Sequence, residues 1–304
     1  MTIEVSHAER VIFPDDGITK GDVVEHYQRV GQRMIELVAD RPLTLQRFPK
    51  GIAVKGFMQK NAADHFPESI RRFEVPKADG GVTTYPVVDR AEDLAYLANQ
   101  GTLTFHMWAS SVSAPDHPDW LILDLDPTPG DLDGVRRVTF AVRDVLDDAG
   151  LTGSVLATGS SGFHVWVRLD RSSTTEETVE AARALAGLVA LRVPDLATTE
   201  FLKKDRSGRV FVDWLRNNPT ATTVVPFSLR PKPAAPVAVP VRWDGLESAR
   251  PDGWSMHTLG DRLDLTFGTS PQRLPVAAIV ATAREAGVDL DTSQDRFGRR
   301  SRRT

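Results

Sequence analysis

The sequence contains no cysteine among its 304 residues. This absence excludes disulfides, iron–sulfur clusters and cysteine-based zinc sites, and it is consistent with a reducing compartment. The chain also lacks any apolar run near the roughly 18 residues that a membrane-spanning helix needs. Its first residues have no signal-peptide core, and there is no internal repeat or linker-like stretch. We therefore expect a cytoplasmic, globular protein that makes no contact with a membrane.

An excess of positive charge is missing as well, since the formal net charge is −4. That average argues against a nucleic-acid partner, but the basic residues are clustered, and a basic stripe on an acidic chain can still bind phosphates. One cluster lies in the second half of the chain and the other crowds the C-terminus: Lys203, Lys204, Arg206 and Arg209, then Arg296, Arg299, Arg300, Arg302 and Arg303. We interpret residues 1–294 as the folded domain and residues 295–304 as a disordered basic tail.

Hydrophobic periodicity predicts several helices and strands. Helices are predicted to begin at Thr19 with Asp22, to run from Leu132 to near Gly150, to begin at Ser173 with Glu176, and to run from Ser270 to Gly287. The clearest strands are residues 120–126, 163–169, 210–214 and 223–229. Because helices and strands alternate without a strict strand–helix–strand rhythm, the pattern predicts a mixed α/β or α+β fold.

Two acids, Asp124 and Asp126, lie in the strand WLILDLD. Side chains alternate across a strand, so both carboxylates face one side, with Cα atoms roughly 6.6 Å apart, while Leu123 and Leu125 face the other. Two acids on a core-like strand are unfavourable unless a partner compensates their charge, and this spacing allows them to share a pair of divalent ions. The alternative is that one acid caps the turn at Pro127 and the other is solvated, and this segment alone favours neither interpretation.

A Thr-Gly-Ser-Ser-Gly loop at 158–162 leads into the second strand, where His164 lies on the polar face. Glycines and hydroxyls let backbone N–H groups approach an anion, so a histidine just beyond such a loop can contact a phosphate. A hairpin turn beside a half-exposed histidine is the simpler interpretation of this segment alone. The loop matches neither the Walker A nor the dinucleotide-binding motif.

Asp213 lies between bulky residues in the third strand and is a natural third carboxylate for the first two, although it could instead pair with Arg209 or Arg216. Arg206 lies upstream of it and Arg230 ends the next strand. Cations that can hold a triphosphate therefore accompany acids that can hold its metals. Taken in order along the chain, these segments favour a metal-dependent nucleotidyl-transfer site.

These segments resemble the polymerase domain of bacterial ligase D, a member of the archaeo-eukaryotic primase superfamily, over nearly the whole chain. The matching segments are RVIFP at 10–14, ITKG at 18–21, RPLT at 41–44, GFMQKN at 56–61, YPVVD at 85–89, LDLDP at 123–127, GFHV at 162–165, VDW at 212–214, PFSLRP at 226–231 and PVRWD at 240–244. The resemblance implies a primase-polymerase fold with a mostly antiparallel central sheet, flanking helices and two closely packed lobes. It also implies a template-directed polymerase that adds ribonucleotides or deoxyribonucleotides to a primer 3′-hydroxyl at gaps or broken ends in bacterial DNA repair, and some relatives also prime.

By position, the resemblance implies that Asp124, Asp126 and Asp213 are catalytic and hold two Mn²⁺ or Mg²⁺ ions. It assigns nucleotide binding to His106, Thr158, Ser161, His164, Arg206 and Arg230, template stacking to Phe57, and recognition of a downstream 5′-phosphate to Lys20, Arg10 and His7. Backbone N–H groups at a helix start near Lys20 would favour that anion. The implied partners are gapped or broken DNA, nucleoside triphosphates, Ku and a separate DNA ligase, at the nucleoid.

Some positions depart from the family pattern. Thr158 and Ser161 replace a serine and a lysine, which removes one cation from the triphosphate site and predicts weaker nucleotide affinity. Gln46 replaces a lysine, Met58 replaces a second aromatic residue, and His7 replaces an asparagine. Because these three lie on the downstream or template side, the resemblance supports 5′-phosphate dependence less firmly than catalysis.

Other functions remain open on the same residues. Residues 77–80 match the Lys-x-Asp-Gly motif of DNA ligases, but the arginine that follows in ligases is missing, so we interpret them as a turn between two strands and expect a stand-alone polymerase. A non-catalytic DNA-end-binding module of the same fold would gain nothing from three clustered acids. A two-metal nuclease would need the acids but neither a triphosphate cradle nor a stacking aromatic.

Overall fold

The computed structural model describes residues 4–77, 80–268 and 270–290. Ala78, Asp79 and the predicted tail at 295–304 lie outside the described residues. The α-helices in the described part are α1 (Lys20–Val38), α2 (Ala91–Asn99), α3 (Leu132–Asp148), α4 (Thr175–Arg192) and α5 (Val276–Glu285). None of them is long and apolar enough to cross a membrane. The strands are β1 (Val11–Phe13), β2 (Ile18–Thr19), β3 (Leu43–Arg47), β4 (Phe57–Gln59), β5 (Arg71–Pro76), β6 (Val82–Val87), β7 (Thr102–Met107), β8 (Trp120–Asp126), β9 (Gly153–Ala157), β10 (Phe163–Arg168), β11 (Ala197–Thr198), β12 (Val210–Asp213), β13 (Thr223–Val224) and β14 (Val239–Val241).

A six-stranded sheet forms the centre of the fold, in the order β11-β12-β8-β10-β9-β14. Its pairs are antiparallel except for β11 with β12. Strand β8 lies inside the sheet, and every residue of it except Asp126 is buried. Helices α3 and α4 pack against β8 and its neighbours, which explains why this strand is apolar up to its acidic end. The expected mixed fold with a mostly antiparallel central sheet is confirmed.

A second sheet of four antiparallel strands has the order β13-β7-β3-β4. Helix α1 packs on α2, and α2 in turn contacts β7. Two antiparallel ribbons, β1-β2 and β5-β6, complete the strand pairs. The second sheet brings His106, on β7, to the same cavity as the end of β8.

Helix α1 begins where the sequence predicts, because its first turn is closed by a capping box. The Thr19 hydroxyl accepts a hydrogen bond from the Asp22 N–H at 3.3 Å, and the Asp22 carboxylate accepts one from the Thr19 N–H at 2.8 Å. Val23, Tyr27 and Val30 follow at helical spacing and are fully or almost fully buried. The predicted helix that ends near Gly150 is α3.

Two predicted helix starts were wrong. Helix α4 is capped one residue later than predicted, by Thr174 with Glu177 rather than by Ser173 with Glu176. Helix α5 starts at Val276 rather than at Ser270, because the segment before it pairs with the end of β10. There the Gln272 N–H donates to the Arg168 carbonyl, and the Gln272 carbonyl accepts from the Asp170 N–H. This tertiary pairing overrides the helix-start signal at Ser270.

The predicted strand at 223–229 was too long, and helix α2 was missed. Strand β13 ends at Val224, because Pro226 lacks an N–H and Phe227 adopts φ +70°, both incompatible with a continuing ladder. Helix α2 has no side-chain hydrogen bond at its N-cap, so the usual start signal is absent. Of the turn interpreted at residues 77–80, only Lys77 and Gly80 are described, and they lie between β5 and β6.

Candidate active site at the end of the central strand

Three carboxylates converge at the end of β8. Asp124 lies directly opposite His164 of β10 on one side and opposite Asp213 of β12 on the other. Residues opposite each other in antiparallel strands share a face of the sheet, so register alone puts these groups together. One oxygen each from Asp124, Asp126 and Asp213 lies within 4.8 Å of the others. Oxygen donors in this number suit a hard divalent cation.

His164 is oriented by neighbours on both ring nitrogens. Its Nε2 lies 3.2 Å from Asp124 Oδ1, while the Trp166 Nε1–H donates to His164 Nδ1 at 3.4 Å. The Thr223 hydroxyl also lies 3.2 Å from Nδ1. Because the indole can only donate, Nδ1 is the acceptor and the proton sits on Nε2, facing Asp124. The predicted hairpin is present, since β9 and β10 pair antiparallel on either side of the loop, but His164 is buried rather than half-exposed and contacts the acidic cluster.

The electrostatics of the three acids differ although they share one face. Burial acts to raise the pKa of Asp124, but His164 and Arg216 outweigh it, so this pKa lies well below its usual range. Burial, then the negative charges of Asp124 and Asp213, raises the pKa of Asp126 to about 6. Burial also raises the pKa of Asp213, against the opposing effect of Arg216. The negative charge of the three carboxylates is therefore incompletely neutralised by the surrounding side chains. A bound cation would neutralise the remainder.

Arg216 is a functional candidate that the sequence offered only as an alternative ion-pair partner. It lies in a 3-10 turn after β12, with its Nε 3.0 Å from Asp124 Oδ2 and 3.3 Å from Asp213 Oδ2. The pairing of Asp213 with Arg216 therefore occurs together with the convergence of the acids. The only sequence signal for it is its position three residues after Asp213. Because the register of β8 with β12 places Asp124 opposite Asp213, Arg216 contacts Asp124 as well.

A cavity of about 180 Å³ opens beside the acids. Five of the six predicted nucleotide-binding residues line it: His106, Thr158, Ser161, His164 and Arg230. Its lining also includes Ser160 and Gly162 of the predicted glycine–hydroxyl loop, and Thr222, Thr223 and Val224, which the sequence did not assign to a site. Hydroxyls, a half-buried guanidinium and two of the carboxylates thus line one space. Burial, followed by the charge of Arg230, lowers the pKa of His106 to about 3, so its imidazole is neutral.

Arg206 is the predicted nucleotide-binding residue that does not line this cavity. Its Nε and Nη2 donate to the carbonyls of Glu200 and Phe201 at 3.2 and 2.9 Å. Its guanidinium also lies 4.2 Å from the ring centroid of Phe211, the residue opposite Asp126 in the sheet. The charge still reaches the site, because Arg206 acts to lower the pKa of Asp126.

The predicted template-stacking residue, Phe57, is exposed on the outer strand of the second sheet. Its side chain is 48% exposed, and Met58 beside it is 49% exposed. The guanidinium of Arg47 lies 5.5 Å from the Phe57 ring centroid. The Phe57 ring is therefore not packed in the hydrophobic core, and much of its surface is accessible to a ligand.

Arg10, Lys20 and His7 gather where the N-terminal segment crosses the start of α1. The Lys20 Nζ donates to the Ser6 carbonyl and hydroxyl at 2.6 and 2.8 Å, and Arg10 donates to the Pro49 carbonyl at 3.0 Å. The Arg10 N–H donates to the His7 carbonyl. Burial, then the charge of Arg10, lowers the pKa of Lys20.

The expected anion-binding N–H groups at this helix start are already used. The N–H of Lys20 donates to the Arg10 carbonyl and that of Gly21 to the Ala8 carbonyl, both at 2.8 Å, and the capping box takes that of Asp22. The expectation was wrong at this point, because the chain before the helix folds back and satisfies those donors. An anion here would be held by side chains instead.

Comparison with known proteins identifies the family. Residues 19–268 match the model of the LigD primase-polymerase domain. The chain belongs to that family. It is 34% identical over 254 residues to the multifunctional non-homologous end joining DNA repair protein LigD of Mycobacterium tuberculosis, which covers 81% of this chain and 33% of that protein. It is 31% identical over 271 residues to the LigD protein of Pseudomonas aeruginosa, covering 88% of this chain and 32% of that one.

A solved structure gives the same assignment for the fold. The polymerase domain from Mycobacterium tuberculosis ligase D in complex with DNA superposes with a TM-score of 0.77 at 29% identity, covering 94% of this chain and 96% of that one. The chain spans about a third of the length of the two curated relatives above. The likeness therefore concerns their polymerase domain.

Proposed function

We propose that the protein is a template-dependent nucleotidyltransferase that adds nucleotides to a primer 3′-hydroxyl at gaps or broken ends in bacterial DNA repair. The observation that carries the proposal is the convergence of Asp124, Asp126 and Asp213 beside a cavity lined by Arg230 and His164. Acids that can hold metals and groups that can hold a triphosphate lie beside one space, as phosphoryl transfer requires. The cytoplasm and the nucleoid are the proposed location.

The three acids would hold two Mn²⁺ or Mg²⁺ ions, because their oxygens are close together and their charge is incompletely neutralised. When bound, such ions activate the attacking hydroxyl and stabilise the leaving pyrophosphate. Arg216 contacts two of the same acids, and its side chain is 39% exposed, so it can turn toward solvent and release them. The acids thus keep a counter-charge while no ligand is present.

The nucleoside triphosphate would be held by the cavity walls. Arg230 is the cation best placed for it, since its side chain lies in the wall and is half-buried, where a charge acts more strongly than in bulk water. Thr158 and Ser161 contribute hydroxyls from the loop between β9 and β10. Arg206 would have to exchange its carbonyl partners for a phosphate to join them, so we assign it a secondary place.

Gapped or broken DNA would lie over the second sheet and the start of α1. Phe57 and Met58 are exposed there, with the exposed cations Lys50, Lys55 and Lys60 close to them in the chain. An exposed aromatic face beside basic residues is typical of surfaces that stack bases and follow a phosphate backbone. Lys20 and Arg10 would receive the downstream 5′-phosphate through their side chains. Ku and a separate DNA ligase are the protein partners we propose.

Templated extension of a gapped duplex tests the proposal. The substrate carries a downstream 5′-phosphate, and the reaction contains Mn²⁺ or Mg²⁺ and labelled nucleoside triphosphates. We expect the wild type to extend the primer and Asp124→Ala to reduce extension by about a thousandfold or more. Asp147→Ala, which removes an exposed acid on α3, is the matched control and should extend as the wild type does.

The same assay decides between the alternatives. End binding by the wild type with no extension under any metal would support the non-catalytic end-binding module and contradict our proposal. Shortening of the labelled strand would support the two-metal nuclease. Full extension by Asp124→Ala would show that the three acids are not the catalytic centre.

A further inference from the structure

Two adjacent buried side chains on α1, His26 and Tyr27, point to a backbone segment that carries part of the cavity wall. They are 2% and 0% exposed. Neither lines the cavity, and neither was singled out by the sequence. Their polar atoms nevertheless reach the chain between β13 and Arg230, far away in sequence. A helix residue that serves only the core would not need these polar groups.

The Tyr27 hydroxyl joins two segments of the cavity wall. It donates to the Leu103 carbonyl of β7, the strand that carries His106, and it accepts from the Leu229 N–H at 3.0 Å, next to Arg230. One oxygen atom thus fixes the spacing between two walls. The Tyr27 ring is held independently, with its centroid 4.9 Å from that of Phe105 in an edge-to-face contact.

The His26 ring holds the same segment two residues earlier. Its Nε2 lies 2.9 Å from the Phe227 carbonyl, and because a carbonyl only accepts, Nε2 must carry the proton. Phe227 has φ +70°, a conformation that a bulky residue adopts only when its surroundings impose it. The segment that ends in Arg230 is therefore held in a strained shape by contacts from α1.

We propose that Tyr27 and His26 are positioning residues that hold Arg230 in the triphosphate site. This inference rests on the proposed function. Tyr27 acts on the Leu229 N–H, one peptide away from Arg230, and His26 fixes the strained turn that precedes it. The Thr104 hydroxyl supports the arrangement, donating to the Leu229 carbonyl at 2.6 Å. Removing either α1 contact should displace the guanidinium while leaving the three acids on β8 and β12 in place.

The test measures steady-state kinetics of nucleotide addition. Tyr27→Phe keeps the ring and removes only the hydroxyl. We expect its KM for the nucleoside triphosphate to rise about five- to tenfold, the equivalent of one lost hydrogen bond in nucleotide binding, with kcat changed less than about twofold. Tyr85→Phe removes a hydroxyl from the β5-β6 ribbon and is the matched control, with KM unchanged.

A double-mutant cycle separates positioning from general damage. If Tyr27 acts through Arg230, Tyr27→Phe adds little to the KM of Arg230→Ala. Multiplication of the two effects would overturn the proposal, as would a wild-type KM in Tyr27→Phe. Melting curves set the assay temperature below every unfolding transition, so that the compared proteins are folded.

The His26 variants provide a second test that does not depend on Tyr27→Phe folding. His26→Gln retains an N–H donor and should stay within about twofold of the wild-type KM, whereas His26→Leu removes the donor and should raise it about fivefold or more. Equal KM values for the two variants would contradict the positioning role. Absence of extension by the wild type would instead refute the proposed function, so the two failures are distinguishable.

Discussion

The environment of each carboxylate, rather than its residue type, sets its charge in the candidate site. Asp124 and Asp126 are two residues apart on the same face of β8, yet the pKa of the first lies below its usual range and that of the second is raised to about 6. Burial acts to raise the pKa of both carboxyl groups, but only Asp124 lies between His164 and Arg216. Differences of this kind are common at catalytic centres.

At the residue scale we predict that His26 makes the fold sensitive to acid. Burial, together with the charges of Arg29 and His257, lowers the pKa of His26 to about 4. In the unfolded chain the His26 imidazole binds a proton near pH 6.5, whereas in the folded protein it does so only near pH 4. The free energy of unfolding therefore falls as the pH drops from about 6.5 to about 4. This contribution should reach about 2 kcal/mol near pH 5.

Urea unfolding of the wild type and His26→Gln at several pH values measures this effect. The variant should lose less stability than the wild type between neutral pH and pH 5, because glutamine does not titrate. Parallel stability curves for the two proteins would contradict the prediction. Carboxylates that titrate in the same range affect both proteins equally and cancel in the comparison.

At the element scale, β8 depends on a close approach by the loop between β9 and β10. Gly162 lies against the backbone of β8, and a Cβ at this position would come within 1.9 Å of the Leu125 carbonyl oxygen. Leu125 separates the two acids of the strand. The loop can therefore place its hydroxyls beside the acids only because this residue has no side chain.

We predict that Gly162→Ala destabilises the protein by about 1–3 kcal/mol and reduces extension at least tenfold, because β8 or the loop must shift. Thermal unfolding and the gapped-duplex assay measure both effects. Gly245→Ala is the matched control, since a Cβ at that position meets nothing within 4 Å. Normal stability of Gly162→Ala would show that the strand and loop separate at little cost.

Several elements were predictable because their signals are local. The capping box of Thr19 and Asp22 fixes the start of α1 within four residues of sequence, and the alternation of β8 fixes the common face of its acids. The start of α5 was not predictable, because it depends on the pairing of Gln272 with the distant end of β10. The positive φ of Phe227, just beyond β13, is likewise accompanied by a contact from α1 to the Phe227 carbonyl.

On the scale of the whole molecule, the two sheets contribute different residues to the candidate site. The six-stranded sheet supplies the acids, while the second sheet supplies His106 to the cavity and exposes Phe57 at its outer strand. Lys20, the residue assigned to the downstream 5′-phosphate, is the first residue of α1. A DNA substrate that reached all three regions would contact side chains from both halves of the chain.

We predict that Lys20→Gln weakens the preference for a gap with a downstream 5′-phosphate over the same gap without it. Losing one phosphate contact should also lower the slope of log affinity against log salt by about one. Fluorescence anisotropy at several salt concentrations measures both quantities. Arg284→Gln on α5, an exposed cation paired with Glu180, is the matched control. An unchanged preference in Lys20→Gln would place the 5′-phosphate elsewhere.

The sequence by itself determined the acids, the glycine–hydroxyl loop and the family, because these are carried by residue type and by order along the chain. Only the tertiary structure decided that Arg216 contacts two of the acids and that Arg206 does not line the cavity. It also decided that α1 contacts the turn before Arg230. Contacts of this kind depend on strand register and on the packing of distant segments. No local pattern of residues encodes them.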